Sequence, residues 1–447
     1  MNIGSLSKFQ LFFLGGLILA ILLAIGIFAI TKNSNNGPTA NVAIWGTLPD
    51  ATMQTFLRRP EIKAALDAKK VAVTYVSKPV NTFDQDVVEA IASGKGPDAV
   101  MVSQDAALQY LDKTVVIPFT SFPERAFKNS QTGYIQEAEL FLTGQGIVAL
   151  PFTVDPMVMY WNRTLLTNAG IASPPTLWSQ LYTPDGVISK INKIDVNHNI
   201  VKTALALGTY GNISHAKDIL SLLMFQAGSP IVGRDNSGSL QSALSGSNSL
   251  NIKNGAEAAL SFYTQFANPA KNIYSWNTAL PLSRDAFTAG DLALYFGYAS
   301  ELNNIYARNP NLNFDVALMP QSQSSSENVT FGKVYGLAIL KSSSNIQSTA
   351  NAIIVLSSSA SQAVWSSVSG FPPVTRDLLA VKPTSSSMSV FHTAALQSRG
   401  WLDPNRSATD TVFKEMVGAV VSGGKQPSEA VRDASSRLSQ LLNAFSK

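Results

Sequence analysis

Apolar and polar residues alternate in short blocks from Val42 onward, and the spacing inside the blocks switches between that of strands and that of helices. Three runs rich in β-branched residues predict strands at residues 42–45, 71–76 and 98–102. Between them, apolar side chains recur at helical spacing in residues 56–69 and 83–92. This strand–helix–strand repetition predicts right-handed βαβ units and a parallel sheet covered by helices on both faces.

A second series of elements starts at an apolar run, residues 157–161, which is entered through Asp155 and Pro156. Strand interiors usually exclude both residue types, because proline lacks an amide donor and a buried aspartate needs a partner. A helix is predicted next at residues 164–169, and Gly170 then suits a left-handed position at its C-terminus.

The remaining chain is predicted to mix helices with a few strands. Residues 200–310 indicate mainly helix, with a Ser-, Gly- and Asn-rich loop or hairpin at residues 233–251. Strand character returns at residues 314–320 and 334–340. Pro427 suits the first turn of a final helix, whose apolar stripe is Val431, Ala434, Leu438, Leu441, Leu442 and Phe445.

The N-terminal region carries an apolar run without charges, residues 11–30, between Lys8 and Lys32. Its length matches the roughly 20 residues that cross a bilayer and exceeds the roughly 7–15 of a secretory signal. We therefore expect an uncleaved single-pass anchor in the cell membrane, with residues 1–10 in the cytoplasm; a cleaved signal peptide is the alternative. Residues 31–40 are predicted to be a flexible linker to a domain outside the cytoplasm.

Composition narrows the function classes. The net charge of +4 is spread over 447 residues without blocks of Lys or Arg, which argues against a nucleic-acid-binding face. The absence of cysteine excludes disulfides, thiolate metal centres, cysteine nucleophiles and a lipoprotein anchor. The histidines His198, His215 and His392 are too widely spaced to indicate a metal site.

The sequence contains no recognisable catalytic motif. There is no phosphate-binding loop, G-x-S-x-G elbow or H-E-x-x-H helix, and the glycines of residues 93–98 precede a strand, which indicates a turn. We therefore expect a protein that is not an enzyme and needs no cofactor or metal. A surface hydrolase is the least favoured alternative.

Residues 151–181 combine a proline and a carboxylate, a strand that ends in aromatic residues and asparagine, a helix, a glycine and a Pro-Pro-Thr-x-Trp motif. These features fall on Pro151, Asp155, Tyr160, Trp161, Asn162, Gly170, Pro174, Pro175, Thr176 and Trp178. With them the chain resembles the extracellular solute-binding proteins of ABC importers, specifically the sugar-binding type exemplified by maltose-binding protein. Further similar segments follow in the family's order at residues 42–46, 96–111, 285–302, 316–321, 332–340 and 370–374.

The resemblance implies an α/β, two-lobed periplasmic-binding-protein fold (type II), in which each lobe is a mainly parallel sheet flanked by helices. Lobe one would hold residues 41–154 and 320–368, and lobe two residues 157–316 and 370–447. The chain would be a monomer that binds a small polar solute, expected to be a carbohydrate, and delivers it to ABC permease subunits.

Candidate solute-binding residues are those that strand ends or the resemblance place at the cleft. They are Trp45, Gly46, Gln104, Asp105, Asp155, His215, Asp218, Tyr298, Ser300 and Phe371. Carboxylates and amides would bind sugar hydroxyls, and flat rings would cover sugar C–H faces. The structural alternatives are a helix cap for Asp105, a hinge brace for Asp155, a surface position for His215 and core packing for the aromatic residues.

The resemblance leaves the solute class open. Residues 296–302 provide Tyr298, Ser300 and Glu301, whereas sugar-binding relatives often carry a Trp or several acidic groups in the corresponding segment. A peptide, a polyol or another small polar solute therefore stays possible. A sensory or adhesion protein with the same fold but no permease is the second function class.

Overall fold

The computed structural model describes residues 39–197, 199–235, 238–246, 255–323, 325 and 327–445. The predicted anchor at residues 11–30 lies outside these residues, as does most of the predicted linker. Within the described part of the chain, no helix has the length and apolar character needed to cross a membrane.

The described residues form fifteen strands and eighteen α-helices. The strands are β1 (Ala40–Gly46), β2 (Val71–Ser77), β3 (Ala99–Ser103), β4 (Ile117–Pro118), β5 (Leu142–Thr143), β6 (Gly146–Ile147), β7 (Leu150–Asn162), β8 (Lys193–Ile194), β9 (Ile200–Leu205), β10 (Val232–Arg234), β11 (Leu240–Ser242), β12 (Leu292–Tyr298), β13 (Phe314–Ala317), β14 (Thr330–Ile339) and β15 (Ser398–Arg399). The helices are α1 (Asp50–Leu57), α2 (Pro60–Ala68), α3 (Phe83–Ala92), α4 (Ala107–Tyr110), α5 (Glu124–Phe127), α6 (Arg163–Asn168), α7 (Ser179–Tyr182), α8 (Val187–Ile191), α9 (Ala216–Gln226), α10 (Gly255–Thr264), α11 (Ser283–Ala289), α12 (Leu302–Arg308), α13 (Ile346–Leu356), α14 (Ser359–Ser369), α15 (Arg376–Leu379), α16 (Ser386–Gln397), α17 (Arg406–Val421) and α18 (Pro427–Leu442).

One sheet runs through the molecule in the order β2-β1-β3-β14-β7-β12-β9-β8, with β13 added to β7 and β15 to β14. The long strand β7 pairs with β14 over Leu150–Pro156 and with β12 over Met157–Trp161. In turn, β14 pairs with β3 over Tyr335–Ile339. The antiparallel pair of β7 and β14 therefore connects the two halves of the molecule.

The apolar side chains form two separate cores, one on each side of this crossing. The division falls within β7, where Val154 packs in the first core and Met157 in the second. The largest fully buried side chains of the first core are Phe56, Phe83, Phe127, Phe141, Phe152 and Trp365, and those of the second core are Tyr160, Tyr263, Tyr295, Phe266, Phe287 and Trp276. The fold is thus α/β and two-lobed, as expected.

Several local predictions are confirmed. Strands occupy the three predicted runs near the start of lobe one, and α3 covers the predicted residues 83–92. Gly170 follows Ala169, the C-cap of α6, and adopts φ +72°, as a left-handed C-terminal residue does. The predicted hairpin is present as the antiparallel pair of β10 and β11, while residues 236–237 and 247–251 of that segment lie outside the described residues.

Other predictions are wrong. The helix expected at residues 56–69 is two helices, because Pro60 cannot continue α1 and instead begins α2. The stretch at residues 200–310, expected to be mainly helical, contains β9 and β12, which are central strands of lobe two.

The expected mainly parallel sheet occurs in lobe one, where β1 runs parallel to β2 and β3. In lobe two, β7 is antiparallel to both β12 and β13, and parallel pairing joins β12 to β9. The expectation is therefore wrong for lobe two, because hydrophobic periodicity carries no information about strand direction. The cores also divide differently from the predicted boundaries. Phe371, Val374 and Leu379 pack with lobe one, whereas Leu108, Val329 and Phe331 pack with lobe two.

Trp365 offers a test of the lobe-one core. Its ring is fully buried, 5.5 Å from the ring centre of Phe56 and 5.1 Å from that of Phe152. We expect Trp365→Ala to lower the free energy of unfolding by about 3–5 kcal/mol, since the cavity left behind cannot fully collapse. Urea unfolding followed by circular dichroism measures this loss. Val381→Ala, at a side chain that is 63% exposed, is the matched control and should change stability by less than about 0.5 kcal/mol; equal losses in the two variants would contradict the assigned core.

Candidate functional site

A cavity of about 910 Å³ opens between the lobes, where the carboxyl ends of β1 and β3 meet the first turns of α9 and α17. Ligands of open α/β sheets bind at such carboxyl ends. The polar groups of its wall come from both lobes and from β14, and they include Thr47, Asn81, Asp84, Ser103, Asp105, Gln109, Tyr210, His215, Lys217, Asp218, Lys333, Tyr335, Arg406, Asp410 and Lys414. We call this cavity the interlobe cleft.

Lys333 and Tyr335 form part of the cleft wall from the crossing strand β14. They are two residues apart and therefore share one face of the sheet, on which Asp155 lies opposite Lys333. The Lys333 ammonium lies 3.5 Å from Asp218 Oδ2 and 4.8 Å from the ring centre of Tyr298. Burial acts to lower the pKa of Lys333, but the carboxylates of Asp218 and Asp105 raise it well above its usual value, so that Lys333 is a fixed positive charge.

Asp218 lies in the first turn of α9, where a carboxylate interacts favourably with the helix dipole. Its Oδ2 accepts a hydrogen bond of 2.6 Å from the Tyr298 hydroxyl. Burial acts to raise the pKa of Asp218, but the positive charges of Lys333 and Lys217 outweigh it and hold that pKa below its usual value. Asp218 is therefore ionised in the neutral pH range.

His215 precedes α9 in the left-handed conformation, with φ 61°, which is uncommon for a residue with a side chain. Its Nε2 lies 2.8 Å from Glu301 Oε1, and Glu301 also accepts hydrogen bonds from the Tyr298 amide and the Tyr295 hydroxyl. Although burial opposes the shift, the hydrogen bond with His215 is the main cause that lowers the pKa of Glu301. An ionised Glu301 thus holds the imidazole at the cleft wall.

Of the ten predicted solute-binding residues, the structure brings Asp105, His215 and Asp218 together on the cleft wall. Asp105 lies in a 3₁₀ turn, and its carboxylate accepts the Ser103 hydroxyl rather than capping a helix. Tyr298 lies directly behind these residues, bonded through its hydroxyl to Asp218.

Three predicted residues, Gln104, Asp155 and Ser300, brace the strand crossing instead of lining the cleft. Gln104 is fully buried and bonds β14 twice, from Nε2 to the Gly332 carbonyl at 3.1 Å and from the Val334 amide to Oε1 at 2.9 Å. Asp155 is 5% exposed and accepts the Ser300 amide at 2.9 Å, which joins β7 to the turn after β12. Burial raises the pKa of the Asp155 carboxyl from 3.8 to about 6, against the opposing effect of the Ser300 hydrogen bond.

The other predicted residues lie in lobe one. Phe371 is buried in that lobe's core, 6.1 Å from the ring centre of Trp365. The Lys78 ammonium covers the Trp45 ring at 4.1 Å from its centre. Gly46 faces Tyr75, whose hydroxyl oxygen would be 2.6 Å from a Cβ at that position, so a side chain is excluded there.

Sequence reasoning missed Lys333, Tyr335 and Arg406. The first two had a visible signal, because residues 330–340 read TFGKVYGLAIL and place a lysine and a tyrosine two apart in an otherwise apolar strand. Arg406 had no such signal, since its carboxylate partner Asp84 is 322 residues away in the sequence. Within the described residues, no cluster of three or more His, Asp or Glu side chains could hold a metal ion.

Comparison with known proteins finds similarity to bacterial binding proteins. The model of the family described as bacterial extracellular solute-binding protein matches residues 62–390. A binding protein of Brucella abortus is 18% identical over 363 residues, which cover 80% of this chain and 81% of the relative.

Solved structures of sugar-binding proteins share the fold. A cyclo/maltodextrin-binding protein complexed with maltotetraose has a TM-score of 0.71 at 15% identity and covers 91% of this chain and 98% of its own. The GacH receptor of Streptomyces glaucescens, solved unliganded and with acarbose, has a TM-score of 0.66 at 17% identity and covers 91% of this chain and 99% of its own. At these identities the likeness establishes the two-lobed architecture.

The variant Asp155→Asn distinguishes two roles of this residue, bracing the strand crossing and contacting the solute. Because the pKa of Asp155 rises on folding, its stabilising contribution is complete below about pH 4 and is lost as the pH rises through about 6. We expect the stability of the native protein, relative to the variant, to fall by about 2–3 kcal/mol between pH 4 and pH 7.5, since asparagine accepts the Ser300 amide without ionising. Urea unfolding across this pH range measures the difference. Weaker solute binding together with an unchanged pH dependence would identify Asp155 as a solute contact instead.

Proposed function

The chain belongs to the bacterial extracellular solute-binding proteins, and we propose that its interlobe cleft binds a small polar solute of the carbohydrate class for import by an ABC transporter. The observation that carries the proposal is the cleft itself. Its volume of about 910 Å³ lies in the range of small-molecule sites, and hydrogen-bonding groups reach it from both lobes.

The chemistry of the cleft wall suits hydroxyl groups. Each sugar hydroxyl donates one hydrogen bond and accepts others, so it needs acceptors and donors side by side. The carboxylates of Asp105 and Asp410 are acceptors, and the Lys333 ammonium and the Tyr335 hydroxyl are donors on the same wall. A bound solute would therefore contact lobe one, lobe two and the crossing strand together.

Contacts from both lobes give the solute a higher affinity for the closed arrangement than for the open one. A ligand shifts such an equilibrium only by this difference in affinity, and closure would present the lobes to a permease in a solute-dependent form. The apolar run at residues 11–30 would tether the chain to the membrane, with the lobes on the outer side. No bond is made or broken in this role.

A non-sugar polar solute is the second candidate, and one observation favours it. Sugar sites use exposed aromatic faces to cover C–H groups. The ring of Tyr298, which was predicted to contact the solute, is instead buried and has the Lys333 ammonium 4.8 Å from its centre. The ring of Trp45 likewise has the Lys78 ammonium at 4.1 Å. The rings on the described cleft wall are those of Tyr210, His215 and Tyr335, and most of its other groups are polar, which suits a solute held by hydrogen bonds.

Thermal unfolding of the purified full-length protein with a panel of mono- and oligosaccharides, polyols and short peptides tests the solute class. We expect a saccharide at 100 times its Kd to stabilise the fold by about 2.7 kcal/mol. Mass spectrometry of small molecules released from the purified protein provides an independent identification. Stabilisation by polyols or peptides alone would contradict the carbohydrate class.

Matched variants test the site. We expect Asp105→Asn and Lys333→Gln to weaken binding of the stabilising solute by about tenfold, because each removes a charge-assisted hydrogen bond. Asp112→Asn is the control, since the side chain of Asp112 is 77% exposed and pairs with Lys113 rather than facing the cleft. Isothermal titration calorimetry measures the three affinities, and unchanged binding in both cleft variants would place the solute elsewhere.

A further inference from the structure

Arg406 joins the two lobes across the interlobe cleft. It begins α17 of lobe two, and its guanidinium lies 2.6 Å from Asp84 Oδ2 on α3 of lobe one. The same guanidinium lies 3.8 Å from Asp105 Oδ1, at the end of β3. The Arg406 and Asp84 side chains are 21% and 31% exposed, so water screens this pair less than a fully exposed one.

Both partners of this contact are held in position by their own lobes. In lobe one, the Tyr110 hydroxyl donates to Asp84 Oδ1 at 3.0 Å, and the Ser103 hydroxyl donates to Asp105. These bonds orient the two carboxylates toward the cleft before any partner arrives. The entropy that a long side chain loses on pairing is then confined to Arg406.

In lobe two, the segment before α17 is fixed by a buried ion pair. The Lys217 ammonium lies 2.9 Å from Asp403 Oδ2, and the Asp403 residue is fully buried. The same ammonium donates to the Arg406 carbonyl at 3.4 Å, which ties the backbone of Arg406 to α9. Asn405 caps α17 by accepting the Ala408 amide at 2.9 Å. The base of the arginine is therefore rigid.

The lobes also touch beside Arg406, away from the strands that connect them. Leu108 of α4 belongs to lobe one by sequence, yet it is 2% exposed and packs in the core of lobe two. The neighbouring Gln109 donates from Nε2 to the Pro404 carbonyl at 3.4 Å. The interlobe contact thus has an apolar part and a polar part, and Arg406 supplies its charge pairing.

We propose that Arg406 couples solute binding to lobe closure, because its pairing with Asp84 and Asp105 favours the closed arrangement of the lobes before the solute binds. Arg406 is then a positioning residue that raises solute affinity by increasing the population of the binding-competent state. The effect on closure stands on the interlobe geometry alone. The effect on affinity rests on the proposed binding function.

Two spin labels on opposite lobes measure closure directly in the absence of solute. The sequence contains no cysteine, so Val88→Cys on α3 and Val421→Cys on α17 create the two labelling sites without background. The Val88 and Val421 side chains are 47% and 41% exposed, which suits labelling without repacking. Pulsed electron paramagnetic resonance of the labelled full chain then gives the distribution of interlobe distances.

In this background, we expect Arg406→Gln to raise the ratio of open to closed lobes about three- to fivefold without solute. Asp84→Asn should change it in the same direction but less, since Asp105 stays paired, and the double variant should be no more open than Arg406→Gln alone. Raising the salt concentration should open the native lobes and have little effect on the Arg406→Gln variant. The solute Kd should rise by no more than about the same three- to fivefold factor.

Arg437→Gln is the matched control. Arg437 pairs with Glu415 within lobe two, so this substitution removes an arginine ion pair without touching the cleft. It should leave the distance distribution unchanged. Distributions of Arg406→Gln and Asp84→Asn that coincide with the native one would overturn the proposal. A weaker Kd in Arg406→Gln with unchanged interlobe distances would overturn it as well, since Arg406 would then act by contacting the solute. Because the distances are measured without solute, this result does not depend on which solute the cleft binds.

Discussion

Two neighbouring antiparallel strands, β7 and β14, carry the sheet from one lobe to the other, and a polar group buried where they cross is costly unless a hydrogen-bond partner replaces water. Gln104 meets this requirement for β14 by bonding both the Gly332 carbonyl and the Val334 amide. Asp155 does the same between β7 and the turn after β12 through the Ser300 amide. These bonds brace the crossing, which we call the joint, and its strand β14 carries Lys333 and Tyr335 of the cleft wall.

Two charges of the cleft wall, those of Lys333 and Asp218, depend on this joint for their positions. Lys333 stands on β14 and lies near Asp218 of α9, while Asp218 is held by the Tyr298 hydroxyl at the end of β12. Three elements that meet at the crossing thus fix one lysine and one carboxylate. A polar solute that enters the cleft meets preoriented donors and acceptors, so less of its binding energy is lost in ordering side chains.

The sequence predicts local structure better than it predicts the site, for physical reasons. Strands and helices of lobe one follow from periodicity, because burial on one face repeats every two or every 3.6 residues. The Asp155-Pro156 pair marks the crossing, since neither residue suits a strand interior. Strand direction in lobe two leaves no periodic trace, and neither does the pairing of Arg406 with Asp84. Asp105 was found because it follows a strand, and His215 and Asp218 because the family resemblance places a ligand loop there. Gln104 follows the same strand as Asp105 and Phe371 was placed by the resemblance, but both side chains are buried in lobe one.

The joint also carries less charge than its residue types suggest. Glu137 is 2% exposed beside the crossing, where a Cβ on Gly400 would lie 2.7 Å from its Oε1. Burial raises the pKa of Glu137 from 4.5 to about 8, against the opposing charge of Arg399, so this carboxyl is mainly protonated at neutral pH. Burial raises the pKa of Asp155 as well, to about 6. The charges fixed at the crossing are therefore those of Lys333 and, above about pH 6, of Asp155, which lie opposite each other on β14 and β7, whereas Glu137 adds no charge at neutral pH.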